Sequence, residues 1–256
     1  IIEHCANIHY VPNSLGNVVL VQNQSLTGHW ASETTEGAIS NVTLNSSNIP
    51  LLGVECSVKA SQLMLNYGTF DVGNYLLNNA VSSLNSAIDT AFAVGSGTGA
   101  QPAGVIVISG VSNISSANSA SSIDMDDITN MMVNVPNFIK EKTIFMSNAD
   151  THSKFVTLRD TNRRKLDEAQ LQFIEVDGRQ IDSKYSIPYY TNSSMPAIGS
   201  GSKPLALIGD NAVEYYVGVG GISFGLQDPY TTYPITKLRF NKKCGFGYSN
   251  PSRIAI

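Results

Sequence analysis

Leu77, Val81, Leu84, Ile88 and Phe92 follow one another at spacings of 4, 3, 4 and 4. That spacing places them on one face of a helix. Val72, Tyr75, Leu76 and Ala80 widen the stripe. The pattern predicts a helix from about Phe70 to Val94, capped by Thr69 or Asp71 and stopped by Gly95. At about 1.5 Å per residue it runs roughly 37 Å, which is long for a globular domain and suits a spine.

Elsewhere the pattern is that of strands and short helices. Residues 1 to 17 read as an irregular arm, with turn formers at Pro12-Asn13-Ser14 and Gly16-Asn17. Val18 to Val21, Ile39 to Leu44 and Ile49 to Val58 are strand candidates, and together they read as a long two-stranded β excursion. Such a ribbon is marginal alone in water, so it is expected to lie on something else. Val105 to Ile108 reads as an apolar strand, and Val111 to Ser122 as a polar loop. Ile123 to Val133 reads as a short helix with Asp124, Asp126 and Asp127 in its first turn, where negative charge is favoured. A calcium loop would need a Gly and a Glu further on, and they are missing. Thr143 to Met146 reads as a buried strand, followed by a helix capped by Asn148 or Asp150. Leu205 to Gly209, Val213 to Val219, Ile222 to Gln227, Lys237 to Phe246 and Ser252 to Ile256 complete the strands. Strands mixed with helices and long loops make an α+β chain.

Composition narrows the class. Hydrophobic residues make up 42% of the 256 residues, but charged residues only 14%, against roughly 25% in an ordinary soluble domain. A weakly charged surface suits faces that become buried against neighbours. No run of 18 apolar residues predicts a membrane span. Ile1 to Cys5 lacks the charged and apolar regions of a signal peptide. It also lacks an initiator Met, which fits either a processed chain or a disordered true start. Cys5, Cys56 and Cys244 have no metal or disulfide spacing and read as reduced thiols. No cofactor is expected.

Charge is unevenly spread. Residues 1 to 58 hold four acids, Glu3, Glu33, Glu36 and Glu55, and no Lys or Arg. From Lys237 onward there are five bases, Lys237, Arg239, Lys242, Lys243 and Arg253, and no acid. This is not the broad basic face of a duplex-binding protein. Arg159, Arg163, Arg164 and Lys165 are offset by Asp160, Asp167 and Glu168, as on a solvated face.

No catalytic signature assembles: GxSxG in its strand–turn–helix context, HExxH, a Walker loop and CxxC are all missing. Gly95-Ser96-Gly97-Thr98-Gly99 invites a phosphate-loop reading. However, it follows a helix rather than a strand, so a helix terminus and tight turn is the reading taken. A structural protein, not an enzyme, is expected.

Five strings then carry a resemblance. Trp30-Ala31-Ser32-Glu33 precedes Ile39 to Leu44. Lys59 to Leu65 leads into the long helix. Gly95 to Val105 contains Gly-x-Gly-Thr-Gly-x-x-Pro-x-Gly. Met146-Ser147-Asn148-Ala149-Asp150 follows, and then Leu207 to Asp210 with Tyr215-Tyr216-Val217. In this order they resemble the major capsid proteins of tailed phages, the Johnson fold, over nearly the whole chain.

The resemblance implies an N-terminal arm (1–17), which reaches a neighbour, and an extended β loop (18–58), which overlies one. It also implies a peripheral domain with the long helix (59–104 and 221–250) and an axial domain (105–220 and 251–256). It implies a shell of pentamers and hexamers of the chain itself. That shell encloses double-stranded DNA held by non-specific contact, and its partners are a portal, a maturation protease and cement proteins. No membrane is implied, and assembly is expected in the bacterial cytoplasm. Removal of an N-terminal scaffolding segment is implied too.

The expected contact residues between subunits are Trp30, Glu33 and Glu36 on the loop and Lys237, Arg239, Lys242 and Lys243 on the late strand. The acidic loop is expected to meet the basic strand of a neighbour. One family member crosslinks a loop Lys to an Asn of the peripheral domain. Here the loop has no Lys, and the matching strand position near Tyr233 carries aromatic and Thr residues, so no isopeptide bond is expected. Encapsulins and gene transfer agents share the implied fold. A secreted β-rich binding module is the more distant alternative.

Overall fold

The computed structural model describes residues 2–13, 15–23, 44–67, 71–116, 122–135, 143–157, 171–176, 179–184, 187–199, 202–219, 222–227 and 235–256. In chain order the elements are α1 (Ile2–Cys5), β1 (Ala6–Pro12), β2 (Asn17–Asn23), β3 (Leu44–Pro50), β4 (Leu52–Ser61), α2 (Gln62–Tyr67) and α3 (Val72–Val94). There follow α4 (Met125–Asn134), β5 (Ile144–Ser147), α5 (Ala149–Val156), β6 (Leu171–Val176), β7 (Arg179–Lys184) and β8 (Ile187–Thr191). The chain closes with β9 (Leu205–Ile208), β10 (Val213–Val219), β11 (Ser223–Gln227), β12 (Ile235–Tyr248), a 3-10 turn (Pro251–Arg253) and β13 (Ile254–Ala255).

Among the described residues two sheets and one ribbon form. The first sheet is organised by β12. The strand β4 lies antiparallel along one side of it, from Ile235 to Cys244. On the other side β11 pairs with Lys237 to Asn241, and β10 with Cys244 to Tyr248. β1 adds to β10 in parallel. The second sheet runs β13-β9-β5-β8-β7-β6. The ribbon is β2 with β3.

The long helix joins the sheets. Asp71 caps it, accepting from the Asn74 amide at 3.0 Å. Its C-terminal half buries Ile88, Ala91 and Phe92 in one cluster with Ile144, Met146 and Ile208 of the second sheet and Val213, Tyr215 and Phe246 of the first. Its N-terminal half packs Ala80 and Leu84 on Ala60, Leu238 and Phe240. The buried stripe is therefore Val72, Ala80, Leu84, Ile88 and Phe92, while Leu77 is 40% exposed. Ala80 is small enough to bring the helix down onto β4. Asn192 fastens the same helix to the second sheet, donating to the Asp89 carbonyl at 3.1 Å.

The glycine-rich run is a helix terminus. The amides of Gly95, Val105 and Ile106 donate to the carbonyls of Ala91, Phe92 and Ala93, at 2.9, 2.8 and 3.3 Å. The chain thus turns back over its own helix end and satisfies carbonyls that would otherwise be orphaned. Glycine is required because a Cβ on Gly104 would sit 2.8 Å from the Ala93 carbonyl oxygen. This also corrects the reading of Val105 to Ile108 as a strand. The Val105 and Ile106 amides serve the helix, those of Val107 and Ile108 donate to the Gly104 carbonyl, and the segment is a turn.

Other expectations change. Residues 6–12 of the irregular arm form β1 within the chain's own first sheet. The candidate strand Ile49 to Val58 breaks at Leu51, so β4 belongs to the first sheet and the loop ends at Pro50. β10 also joins the first sheet, so the boundaries at 17, 58 and 220 do not coincide with the sheets. β6, β7 and β8 were not anticipated. Pro188 lies inside β8, and proline weakens a strand reading although Ile187 and Tyr189 are buried. Most of Ile39 to Leu44 lies outside the described residues.

Candidate interaction surface

The ribbon reaches the body of the protein at one end of β12. There Cys244, Gly245, Phe246, Gly247 and Tyr248 alternate glycine with larger residues, and all five are buried. Phe246 and Tyr248 point into the main core. The glycines face the other way and leave a slot. A Cβ on Gly245 would lie 2.8 Å from the Pro50 carbonyl oxygen, and one on Gly247 would collide with Ile49. Into this slot the ribbon sets Ile49 and Leu51 against Tyr216, with Val11, Val18 and Leu20 alongside. The Leu51 amide donates to the Gly16 carbonyl at 2.9 Å, closing the ribbon's root.

The N-terminal strand is tied to the same place. His9 Nε2 lies 2.6 Å from a Glu214 carboxylate oxygen, and its ring stacks on Tyr216 with centroids 5.0 Å apart. Burial, then the Glu214 charge, raise the Tyr216 hydroxyl pKa.

At its other end β12 alternates. Thr236, Leu238 and Phe240 are buried. Lys237, Arg239, Asn241 and Lys243 share the opposite face with Gly53, Glu55, Ser57 and Lys59 of β4. Arg239 forms an ion pair with Glu55 of its own chain. The Ser57 hydroxyl donates to the same carboxylate at 2.8 Å, and these two bonds lower the Glu55 pKa. Lys243 donates to the Asn13 carbonyl at 2.7 Å. Lys242 lies on the helix side of the sheet beside Val54. Lys237 and Lys59 are directly opposite each other. Trp30, Glu33 and Glu36 lie outside the described residues.

The structure thus brings Lys237, Arg239 and Lys243 onto one face and puts Lys242 on the other. Lys59 was missed by sequence reasoning, because only register reveals it. The ribbon seat was missed as well, although Gly245-Phe246-Gly247 carried a signal: glycine on one face and aromatic on the other.

Among the described residues no group of three His, Cys, Asp or Glu could hold a metal ion. Burial pushes the Cys5 thiol up to about 12 and the Cys244 thiol up to about 11, so neither is a ready nucleophile. Among the described residues no helix is long and apolar enough to cross a membrane.

The family described as "Phage capsid family" matches residues 6–256. The chain belongs to that family. Solved structures agree on the Johnson fold. The capsid of an empty gene transfer agent particle is 19% identical with a TM-score of 0.79, over 99% of this chain and 87% of that one. Gordonia phage Cozz is 12% identical with a TM-score of 0.67, over 99% and 84%. The holo-SrpI encapsulin of Synechococcus elongatus PCC 7942 is 13% identical with a TM-score of 0.68, over 96% and 83%. No curated protein sequence matches the chain. The α+β reading and the capsid-family resemblance therefore hold. The long helix, the ribbon and the two sheets are this capsid-family member's version of the fold.

Proposed function

We propose that this chain is a major capsid subunit, a structural protein rather than an enzyme, which self-assembles into a closed icosahedral-type shell of pentamers and hexamers. The observation that carries this reading is the family match over residues 6–256. The contents of the shell are double-stranded DNA, pumped in by a motor through a portal. The chain therefore does not need the many cation–phosphate contacts of a condensing protein. A protease removes a scaffolding segment, and cement proteins add to the exterior. The loop bears no Lys, so the shell rests on non-covalent contacts. Assembly takes place in the cytoplasm of the bacterial host.

Negative-stain microscopy of the expressed protein tests the central statement. Round closed shells are expected, and a stable monomer overturns it. A denaturing gel of purified particles is expected to show one band, where a ladder would reveal isopeptide bonds. N-terminal sequencing tests the processing step. The likeness to an encapsulin keeps a second reading, a DNA-free compartment. The nucleic-acid content of purified particles separates the two.

A further inference from the structure

The strand β4 is an edge. Among the described residues its one strand partner is β12, which lies along one side of it in ten consecutive pairs. Its other side is open for ten residues, about 33 Å at roughly 3.3 Å per residue. Open edges invite pairing with another chain, and proteins blunt them with short strands, bulges or proline. The edge strand β1 has seven residues and ends in Pro12, and β11 has five. β4 is longer than either, with no proline and no bulge. Its helix-side face is also unfinished. Val54, Cys56, Val58 and Ala60 alternate with Gly53, Glu55, Ser57 and Lys59, and of the first set only Ala60 is buried. The course of α3 explains this. Ala80 and Leu84 pack with Ala60 and with Leu238 and Phe240 of β12, and farther on Phe92 packs against Phe246. The helix thus leaves β4 for β12, and Val54 and Cys56 stay half-buried.

A second copy of β4 completes both. About a two-fold axis normal to the sheet each face meets itself, so outward residues oppose outward ones. An axis through Glu55 or Lys59 opposes like charges, which is destabilising. An axis at Cys56 leaves Lys59 opposite Gly53, and one at Val58 leaves it opposite Ser57. An axis at Ser57 sets Glu55 of each copy opposite Lys59 of the other. On the helix side it sets Val54 opposite Ala60 of the second copy, beside the N-terminal half of that copy's α3. Lys59 faces Lys237 within its own chain, and it gains an anion on its other side. Glu55 keeps its bonds from Arg239 and Ser57, because a carboxylate has about four sites that accept hydrogen bonds.

We infer that the open edge of β4 pairs antiparallel with β4 of a second copy of this chain, about a two-fold axis at Ser57, with Glu55 of each copy opposite Lys59 of the other. This rests on the shell reading above and names one contact within it. A contact that meets itself about a two-fold is isologous, whereas contacts round a ring are heterologous. The pairing therefore joins neighbouring pentamers and hexamers. Main-chain bonds hold it, and the two charge pairs set its register more than its strength.

Crosslinking reads the register directly. Assembled particles are treated with oxidised glutathione and run on a non-reducing denaturing gel. In the Cys56→Ser/Ser57→Cys variant the two introduced thiols stand directly opposite each other, with Cα atoms about 4.5–5.5 Å apart, within the roughly 4.4–6.8 Å that a disulfide spans. Most of its chains are expected in a dimer band. The unsubstituted chain, whose Cys56 faces Val58 of the second copy, is expected to stay monomeric. Shells of the variant without a dimer band overturn the inference, as does a dimer band from the unsubstituted chain that Cys56→Ser abolishes. Charge reversal gives a second reading, with circular dichroism reporting folding and sedimentation the assembled fraction. Glu55→Lys and Lys59→Glu each oppose like charges across the axis, and each is expected to lower that fraction at least about tenfold. The double variant opposes unlike charges again and restores it to within about twofold. Normal assembly of a folded single reversal overturns the inference, as does failure of the folded double variant to recover. If the unsubstituted chain forms no shells, the shell reading itself falls, whereas shells without the crosslink remove the strand pairing alone.

Discussion

The two ends of β12 lie in different surroundings. From Ile235 to Phe240 the strand alternates, with one side on the long helix and the other toward solvent. From Cys244 to Tyr248 both sides are covered, by the main core and by the root of the ribbon. One strand therefore does two jobs. Its buried end fixes where the loop leaves the body, through shape. Its open end presents charge on the face turned away from the long helix. Shape holds what must stay fixed within a chain. Charge suits a contact made between chains, because it steers without the desolvation cost of a buried interface.

Substitutions can break this contrast. The largest effect is expected at the buried end from Phe246→Ala. Its ring packs on Phe92 and Tyr215, with centroids 5.4 and 5.3 Å away. Loss of such a ring costs about 3–5 kcal/mol, which denaturant unfolding will measure. Next comes Gly245→Val, which fills the slot beneath Pro50 and Leu51. Overpacking costs about 1–3 kcal/mol. The variant is expected to fold but to lose shells in microscopy, because the loop leaves from the wrong place.

Alkaline pH acts on the buried end as well. The folded chain holds the Cys244 proton to about 11, against an ordinary 9.0, because burial disfavours the thiolate. Between those values the unfolded chain has released a proton that the folded chain keeps. Stability must therefore fall as pH rises through this window, by about 1.4 kcal/mol per pH unit for this thiol. The Tm followed from pH 9 to pH 11 checks the sign. The smallest effect is expected at the open end. Glu55→Gln frees Arg239 on an exposed face, and the melting curve should barely move. If Glu55→Gln unfolds the chain while Gly245→Val forms normal shells, the division of labour along β12 is wrong.

Several features were legible in the sequence because they are local. The 3.6-residue period and the Asp71 and Gly95 caps place α3 within two residues of its observed start. Asp124, Asp126 and Asp127 announce α4 as favourable first-turn charges, and the structure makes Asp124 its cap, in a capping box with Asp127. Asn148 announces α5, accepting from the Asp150 amide at 3.2 Å. The glycine run after the helix was read as a terminus, and backbone bonds to Ala91, Phe92 and Ala93 make it one. Each of these depends on neighbours a few residues apart. The order of five such strings was enough to reach the family.

What the sequence could not determine depends on register between distant segments. Residues 6–12 carry no strong strand pattern, and they become β1 because β10, two hundred residues on, offers a free edge. The break at Leu51 is set by Gly245 and Gly247, which admit the ribbon root only there. The basic residues of the late strand were legible as a group. Their division into Arg239 paired with Glu55, Lys243 bound to Asn13, Lys242 turned to the helix side and Lys237 facing Lys59 was not. A strand's side chains change face with every residue, so a one-residue shift of β4 against β12 would have paired them differently. The local pattern determined the long helix, the capped short helices and the family to which the chain belongs. The tertiary structure decided which charges are satisfied within the chain, because pairing across β4 and β12 depends on register.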